Sequence, residues 1–522
     1  MSVLVTMLAL VASSCAVIVR SSVDTTGVGQ PNGGSAAPAL SGDGRFVAFG
    51  SSASNLVAGD NNGTADIFVR DHQTETTELI SASINGGSGN GSSERADITP
   101  DGRFVTFASF ANDLVAGDTN PGPDVFLHDR QTGITEIVSV DSSENQGMFG
   151  SLGGTVSDDG RFVAFHSVDQ FDNDTNSTFD VYLRDRSFGL TRIMSTESTN
   201  TTAAGDSFDG VVSGDGSTVV WWSFSDDIVA GDTNGEADVF WRTTVLLIKL
   251  RISEPNGGGQ GDGPSRTPDV SHNGSFVVFD SGATNLVAGD TNGVDDVFLW
   301  DINLAIGDPL IRISERPDGT QGNDRSLLAK INGDGDHVAY MSHADNLQDP
   351  AAAPADSNGE RDAYLWNLGT NTLGSQTTIG EATNDVSLQA AISADGSALA
   401  FDTEATNLGF DDTNGATDVV VRPTFVPDIT GVTGGPWMVG ETSELKLLGT
   451  FTADSEVIVG GDGVLDAQVT AVDPGVSVTI EVTTTGVATP GVRPIWIITP
   501  APQLGIQFPF GSADQIDVAL LP

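Results

Sequence analysis

Residues 41–49 read SGDGRFVAF, and the same line returns six times: TPDGRFVTF (99–107), SDDGRFVAF (157–165), SGDGSTVVW (213–221), SHNGSFVVF (271–279), NGDGDHVAY (332–340) and SADGSALAF (393–401). The turn residue falls at Asp43, Asp101, Asp159, Asp215, Asn273, Asp334 and Asp395, at spacings of 58, 58, 56, 58, 61 and 61 residues. A near-constant period of this length marks a repeat architecture. The D-G pair suits a tight hairpin turn that needs positive φ. The apolar run that follows has no polar alternation, as expected of a strand buried on both faces.

A second line follows each copy: DNNGTADIFV (60–69), DTNPGPDVFL (118–127), DTNSTFDVYL (174–183), DTNGEADVFW (232–241), DTNGVDDVFL (290–299), DSNGERDAYL (356–365) and DTNGATDVVV (412–421). A third line closes the unit, as in ELISAS, EIVSVD, RIMSTE, RISEPN and RISERP, and a Gly/Asn/Ser-rich linker leads to the next copy. Each copy therefore predicts four short strands: a before the D-G turn, b the F-V-A-F run, c the D-V-F-L run and d the R-I-S run. Four strands per repeat define a propeller blade, and seven copies a seven-bladed β-propeller. The seventh copy runs from Asp418–Val421 into Arg422-Pro423 and lacks a strand d. Residues 16–22, AVIVRSS, match the strand-d line and are expected to complete blade seven.

The blades resemble the TolB-type, WD-like propeller repeat, whose mark is S-P-D-G, an apolar strand and then D-I-Y. Thr99-Pro100-Asp101-Gly102 and Asp66-Ile67-Phe68 match it best. The resemblance covers residues 16–426 and implies the propeller fold. The b–c loop here is longer and carries an added D-x-N, so activities of individual family members do not carry over.

From Pro427 the repeat stops. The segment PDITGVTGGPWMVGETSELKLLGTFTADSEVIVGGDGV resembles the opening of an IPT/TIG immunoglobulin-like domain, with further strands expected at Ser477–Thr483 and Pro494–Ile498. The fold class is thus all-β: a seven-bladed propeller over 16–426, then a small Ig-like β-sandwich with a C-terminal tail over 427–522. At the other end, Val3 to Val19 is apolar but lacks a basic flank, and residues 1–15 read as a signal segment. Cys15 is the one cysteine, so no intrachain disulfide can form; Ala12-Ser13-Ser14-Cys15 is a weak lipobox.

Acidic residues outnumber basic ones 71 to 22, for a net charge of −49. Such a surface repels nucleic acid and anionic lipid and favours cations or a salty medium. The repeated candidate site is the b–c loop, D-x-N-x-x-x-D. Its residues are Asp60, Asn62 and Asp66; Asp118, Asn120 and Asp124; Asp174, Asn176 and Asp180; Asp232, Asn234 and Asp238; Asp290, Asn292 and Asp296; Asp356, Asn358 and Asp362; Asp412, Asn414 and Asp418. Carboxylates and amides on a tightly turned loop are ligands for a hard cation such as Ca²⁺. The same residues also cap their own backbone amides, and both readings stay open. Blades two and three lack the Gly at the fourth position, carrying Pro121 and Ser177.

The six histidines are scattered, and His337 falls at a packing position. No G-x-S-x-G or H-E-x-x-H motif is present. Blade six departs most from the pattern, with residues 348–354 inserted before its loop. The expectation is a secreted, periplasmic or cell-surface binding or scaffold protein, non-catalytic and stabilised by Ca²⁺, with a protein or carbohydrate ligand. The alternative is a propeller enzyme, a hydrolase or lyase acting on polysaccharide or peptide, with its site in the central channel.

Overall fold

The computed structural model describes residues 18–424, except 173, 198–200, 247, 305–308, 349–355, 378–380 and 411, and the backbone of strands between 429 and 520. Ile18–Gln376 and Glu381–Thr424 form one compact unit, a seven-bladed β-propeller of four-stranded antiparallel blades. In blade 1, strand a is Ser35–Leu40, b is Phe46–Ser51, c is Asp66–Asp71 and d is Thr76–Leu79. Blades 2 to 6 repeat the order over 93–137, 151–193, 207–251, 265–312 and 326–373. Blade 7 is Ser387–Ile392, Ala398–Thr403 and Asp418–Pro423.

Its strand d is Val19–Arg20, from the chain start, with Val19 opposite Val421 and Arg20 opposite Val420. Ser21 N–H then donates to Val419 O at 2.8 Å. The expected closure therefore holds from Ile18 onward. Ala16, Val17 and the expected signal segment lie outside the described residues.

Strands b and c are buried because blades stack on both of their faces. Val47, Ala48, Phe49, Ile67, Phe68 and Val69 are all 0% exposed. An aromatic pair crosses from b to c in six blades, as in Phe107–Phe126 and Trp221–Phe240, with centroids 5.6 and 5.7 Å apart. Each such side chain contributes roughly 1.5–3 kcal/mol through burial. Core clusters span neighbouring blades: Ala48, Ile67 and Ile80 of blade 1 pack on Ile98, Val105 and Phe107 of blade 2.

The D-G turn serves two ends. Gly102 has φ 71°, and a Cβ there would lie 2.2 Å from the Phe46 ring of the preceding blade. Asp101 accepts the Arg103 N–H at 2.9 Å, bracing the turn.

Two details differ from the sequence reading. Strand d ends at the Arg position of R-I-S, so the serine lies beyond the strand, where its hydroxyl takes up another role. Strand a is also bulged in the middle of every blade. At the bulge Ala37, Arg95, Asp209, Thr267 and Leu328 adopt φ of 46–59°, and Gly153 adopts 83°. The bulge frees an N–H, and a strand-b side chain of the preceding blade takes it in three blades. Asp402 accepts from Ala37 at 3.1 Å, His166 from Asp209 at 3.3 Å and Asp280 from Leu328 at 3.3 Å.

Beyond the propeller, Ile429–Gly434, Thr442–Gly449, Ser477–Thr484 and Val464–Asp473 pair, in that spatial order, into one antiparallel sheet. Glu456–Val459, Gly491–Ile498 and Asp514–Leu520 pair into another. Among the described residues no helix is long and apolar enough to cross a membrane.

Candidate functional site

The seven acidic loops share one geometry. The last Asp opens strand c and is at most 1% exposed. It accepts the hydroxyl of the serine that follows strand d: Ser81 on Asp66, Ser139 on Asp124, Ser195 on Asp180, Ser253 on Asp238, Ser314 on Asp296, Ser375 on Asp362 and Ser22 on Asp418, at 2.5–2.8 Å. Burial pushes these carboxyls up, to about 6 at Asp66, Asp124, Asp296 and Asp418 and to about 7 at Asp180; Asp238 and Asp362 move the same way. The first Asp of each loop adds to the rise.

The middle asparagines hold the linker to the next blade. Asn62, Asn120, Asn176, Asn234, Asn292, Asn358 and Asn414 each donate to a linker carbonyl at 2.7–3.1 Å. In six of them the amide oxygen accepts the N–H two residues on, at 2.8–3.3 Å. Asn120 is the departure: its buried Oδ1 has no such bond. The capping geometry is therefore present at the asparagines.

The first aspartates are buried at Asp60, Asp174, Asp232 and Asp356 and half-buried at Asp118, Asp290 and Asp412. Buried carboxylate oxygens without a hydrogen-bond partner occur at Asp60, Asp180, Asp238, Asp356, Asp362, Asp412 and Asp418, those of Asp238 and Asp418 facing the Arg251 and Arg20 guanidinium groups. Among the described residues no group of three or more His, Cys, Asp and Glu side chains converges on one point. His337 sits in the strand-b register opposite Asn367, paired with Asp336 at 2.7 Å.

Repeat symmetry breaks elsewhere. The strands a of all seven blades line a central channel of about 540 Å³. At one end the a–b turns are tied blade to blade, as in Gly42 N–H to Pro100 O and Gly333 N–H to Ala394 O, both 2.8 Å. There His272 and Asp158 meet at 2.8 Å across blade 4's Gly214.

The opposite mouth, on the linker side, is asymmetric. One position of strand b reads Gly50, Ala108, His166, Trp222, Asp280, Met341 and Asp402 around the ring. Trp222 lies 4.8 Å from Phe208, Phe208 lies 5.2 Å from Phe179, and His166 faces both phenylalanines at 5.7–5.9 Å. Phe224 stands edge-on to Trp222 at 5.4 Å, and the Arg266 guanidinium lies over the Trp222 and Phe224 rings at 5.7 and 5.8 Å.

A charged pair borders this shelf. Arg95 of blade 2 reaches Asp209 of blade 4 at 3.1 Å, past the side-chain-free Gly153 and Gly154 of blade 3. Burial would raise Asp209, but the Trp222 indole N–H at 2.9 Å and the Arg95 guanidinium together hold it low. Burial also keeps His166 neutral, leaving Nδ1 to accept from the backbone. Deeper in the channel, Lys330 of blade 6 pairs with Asp269 of blade 5 at 3.5 Å, and burial pushes Asp97 of blade 2 up to about 6.

Sequence reasoning missed this shelf. Its signal is a column of the repeat alignment in which seven blades carry five different residue chemistries.

No protein-family model and no curated protein matches the chain. Solved propellers do align with it. A TolB candidate from Agrobacterium tumefaciens is 15% identical over 69% of this chain and 98% of its own, with a TM-score of 0.36. The WD40 repeats of RRP9 are 10% identical over 78% and 98%, with a TM-score of 0.40. A GH74 xyloglucanase from Xanthomonas campestris is 10% identical over 83% and 59%, with a TM-score of 0.38. The class of the chain is set by its own strand order, a seven-bladed β-propeller of four-stranded antiparallel blades.

Proposed function

We propose that this protein is a non-catalytic binding scaffold of the extracytoplasmic space that takes a neutral carbohydrate chain at the linker-side mouth of its channel. The asymmetric shelf of Phe179, Phe208, Trp222 and Phe224 carries this reading. Ring faces pack against the apolar C–H faces of sugars, while Arg95, Asp209 and Arg266 beside them supply hydrogen bonds for hydroxyls. The net charge of −49 disfavours anionic ligands. The apolar N-terminal run supports export, and the strands beyond Ile429 support an IPT/TIG-like sandwich acting as a spacer or interaction module. Hard cations such as Ca²⁺ in the acidic loops stabilise the blades.

The test is calorimetric titration of the full chain with a panel of neutral oligosaccharides. Binding that weakens at least tenfold in Trp222→Ala is expected. Unchanged affinity in that variant would move the site, and a panel with no binder would overturn the reading.

A hydrolase or lyase in the same channel is the second reading. Asp97, raised to about 6, has the proton affinity of a general acid. Turnover of any bound glycan, lost in Asp97→Asn, distinguishes it from simple binding.

A further inference from the structure

One position of strand d decides what lies between the two aspartates of each acidic loop. In blades 4, 5 and 7 it is an arginine: Arg251 opposite Phe240, Arg312 opposite Phe298 and Arg20 opposite Val420. Arg251 Nη1 lies 3.2 Å from Asp232 and 3.5 Å from Asp238. Arg312 Nη1 lies 3.6 Å from Asp290 and 3.7 Å from Asp296, and Arg20 Nε lies 3.0 Å from Asp418. All three side chains are nearly buried, so the chain itself places a cation inside three of its loops.

In blades 1, 2, 3 and 6 the same register holds Leu79, Ile137, Ile193 and Leu373. Blades 3 and 6 compensate with a hydroxyl: Tyr182 donates to Asp174 and Tyr364 to Asp356, both at 2.8 Å. Blade 2 turns the Gln146 amide onto Asp118 at 3.3 Å. Blade 1 has none of these. Phe68 stands where the tyrosines are, and Ser88, which stands in the glutamine's place, bonds the Asn61 N–H. Asp60 is 8% exposed, and its Oδ1 has no partner. Asp66, 0% exposed, holds only the neutral donors Asn62 and Ser81. Two buried carboxylates without a neighbouring cation are costly, because like charges repel strongly where water is scarce.

We propose that the blade 1 loop binds a hard divalent cation of the calcium class through Asp60 and Asp66, and that Arg20, Arg251 and Arg312 are its built-in replacements in blades 7, 4 and 5. Carboxylate oxygens suit such an ion, with water and backbone carbonyls completing its shell. The inference rests on the cation reading above and sharpens it, since it names which loop needs an ion and which three do not.

The test is Ca²⁺ binding to the full chain by equilibrium dialysis, with thermal melting in Ca²⁺ and in a sodium salt of equal ionic strength. Asp60→Asn should lower the number of bound ions by one. Leu79→Arg should do the same while melting in chelator at or above the wild-type temperature, because the guanidinium replaces the ion. Arg251→Leu should raise the number by one and make blade 4 calcium-dependent. Calcium binding unchanged by Asp60→Asn and Leu79→Arg would overturn the blade 1 site and leave the general cation reading standing. No bound calcium in the wild type would overturn both.

Discussion

Ser22 donates its hydroxyl to Asp418 at 2.8 Å, joining residues 396 positions apart in the chain. The same hydroxyl accepts the Val419 N–H at 3.1 Å. Six other blades make this contact within one repeat, and only here does it span the ring seam. Removing the donor leaves a buried carboxylate oxygen unmet, at a cost of roughly 1.5–3 kcal/mol for a hydrogen bond to a charged group. Ser22→Ala should therefore lower the melting temperature, and deletion of 16–22 should lower it much further by exposing the blade 7 edge. Calorimetry of the two variants checks the order; a deletion that melts like the full chain would refute closure by this strand.

The raised carboxyls predict a pH dependence of definite sign. A carboxyl whose folded pKa exceeds its unfolded value holds protons more tightly when folded. Stability is then lost as pH climbs from the unfolded value of 3.8 through the folded values of about 6 to 7. Opposing this, the Arg45 side chain overcomes burial to hold Asp71 at about 2, a contribution lost on acidification below 3.8. Without divalent cations the melting temperature should rise from pH 7.5 to pH 5 at fixed ionic strength. Saturating calcium should flatten that slope, because the ion substitutes for the proton. A melting temperature that falls on going from pH 7.5 to 5 would contradict the assignment.

Gly102 predicts a packing effect. At φ 71° and 2.2 Å from the Phe46 ring, an added Cβ meets both backbone strain and a ring held between Arg45 and Arg130, at 4.5 and 4.4 Å. Gly102→Ala should cost at least ~2 kcal/mol in urea unfolding. Gly63, also at positive φ but with nothing within 4 Å, should lose less on the same change.

Limited proteolysis should cut near 424–428, after the last propeller strand, and leave a stable fragment of about 400 residues. Mass spectrometry of the fragment ends reads this directly; first cuts within the blades would argue against an independently folded propeller.

The blades were legible in the sequence because each uses local chemistry. A D-G turn, a doubly buried strand and a missing seventh strand d are patterns within some sixty residues. The acidic loops were legible as a recurring motif for the same reason, and the asparagine capping follows from side chains two residues from their amides. What lies between the aspartates was not legible, although Leu79, Arg251 and Arg312 were in plain view. Their meaning depends on strand-d register, which pairs them with Phe68, Phe240 and Phe298.

The sequence by itself determined the number of blades, their strand content and the seam where the ring closes, since these follow from periodicity and from short-range hydrogen bonding. Only the tertiary structure decided which side chains meet across blades. Arg95 and Asp209 lie 114 residues apart and pair over the gap at Gly153; Asp402 of blade 7 caps the bulge at Ala37 of the adjoining blade 1, 365 residues away in the chain. A repeat pattern describes each blade alone, whereas such contacts arise from the curvature that brings seven blades around one axis.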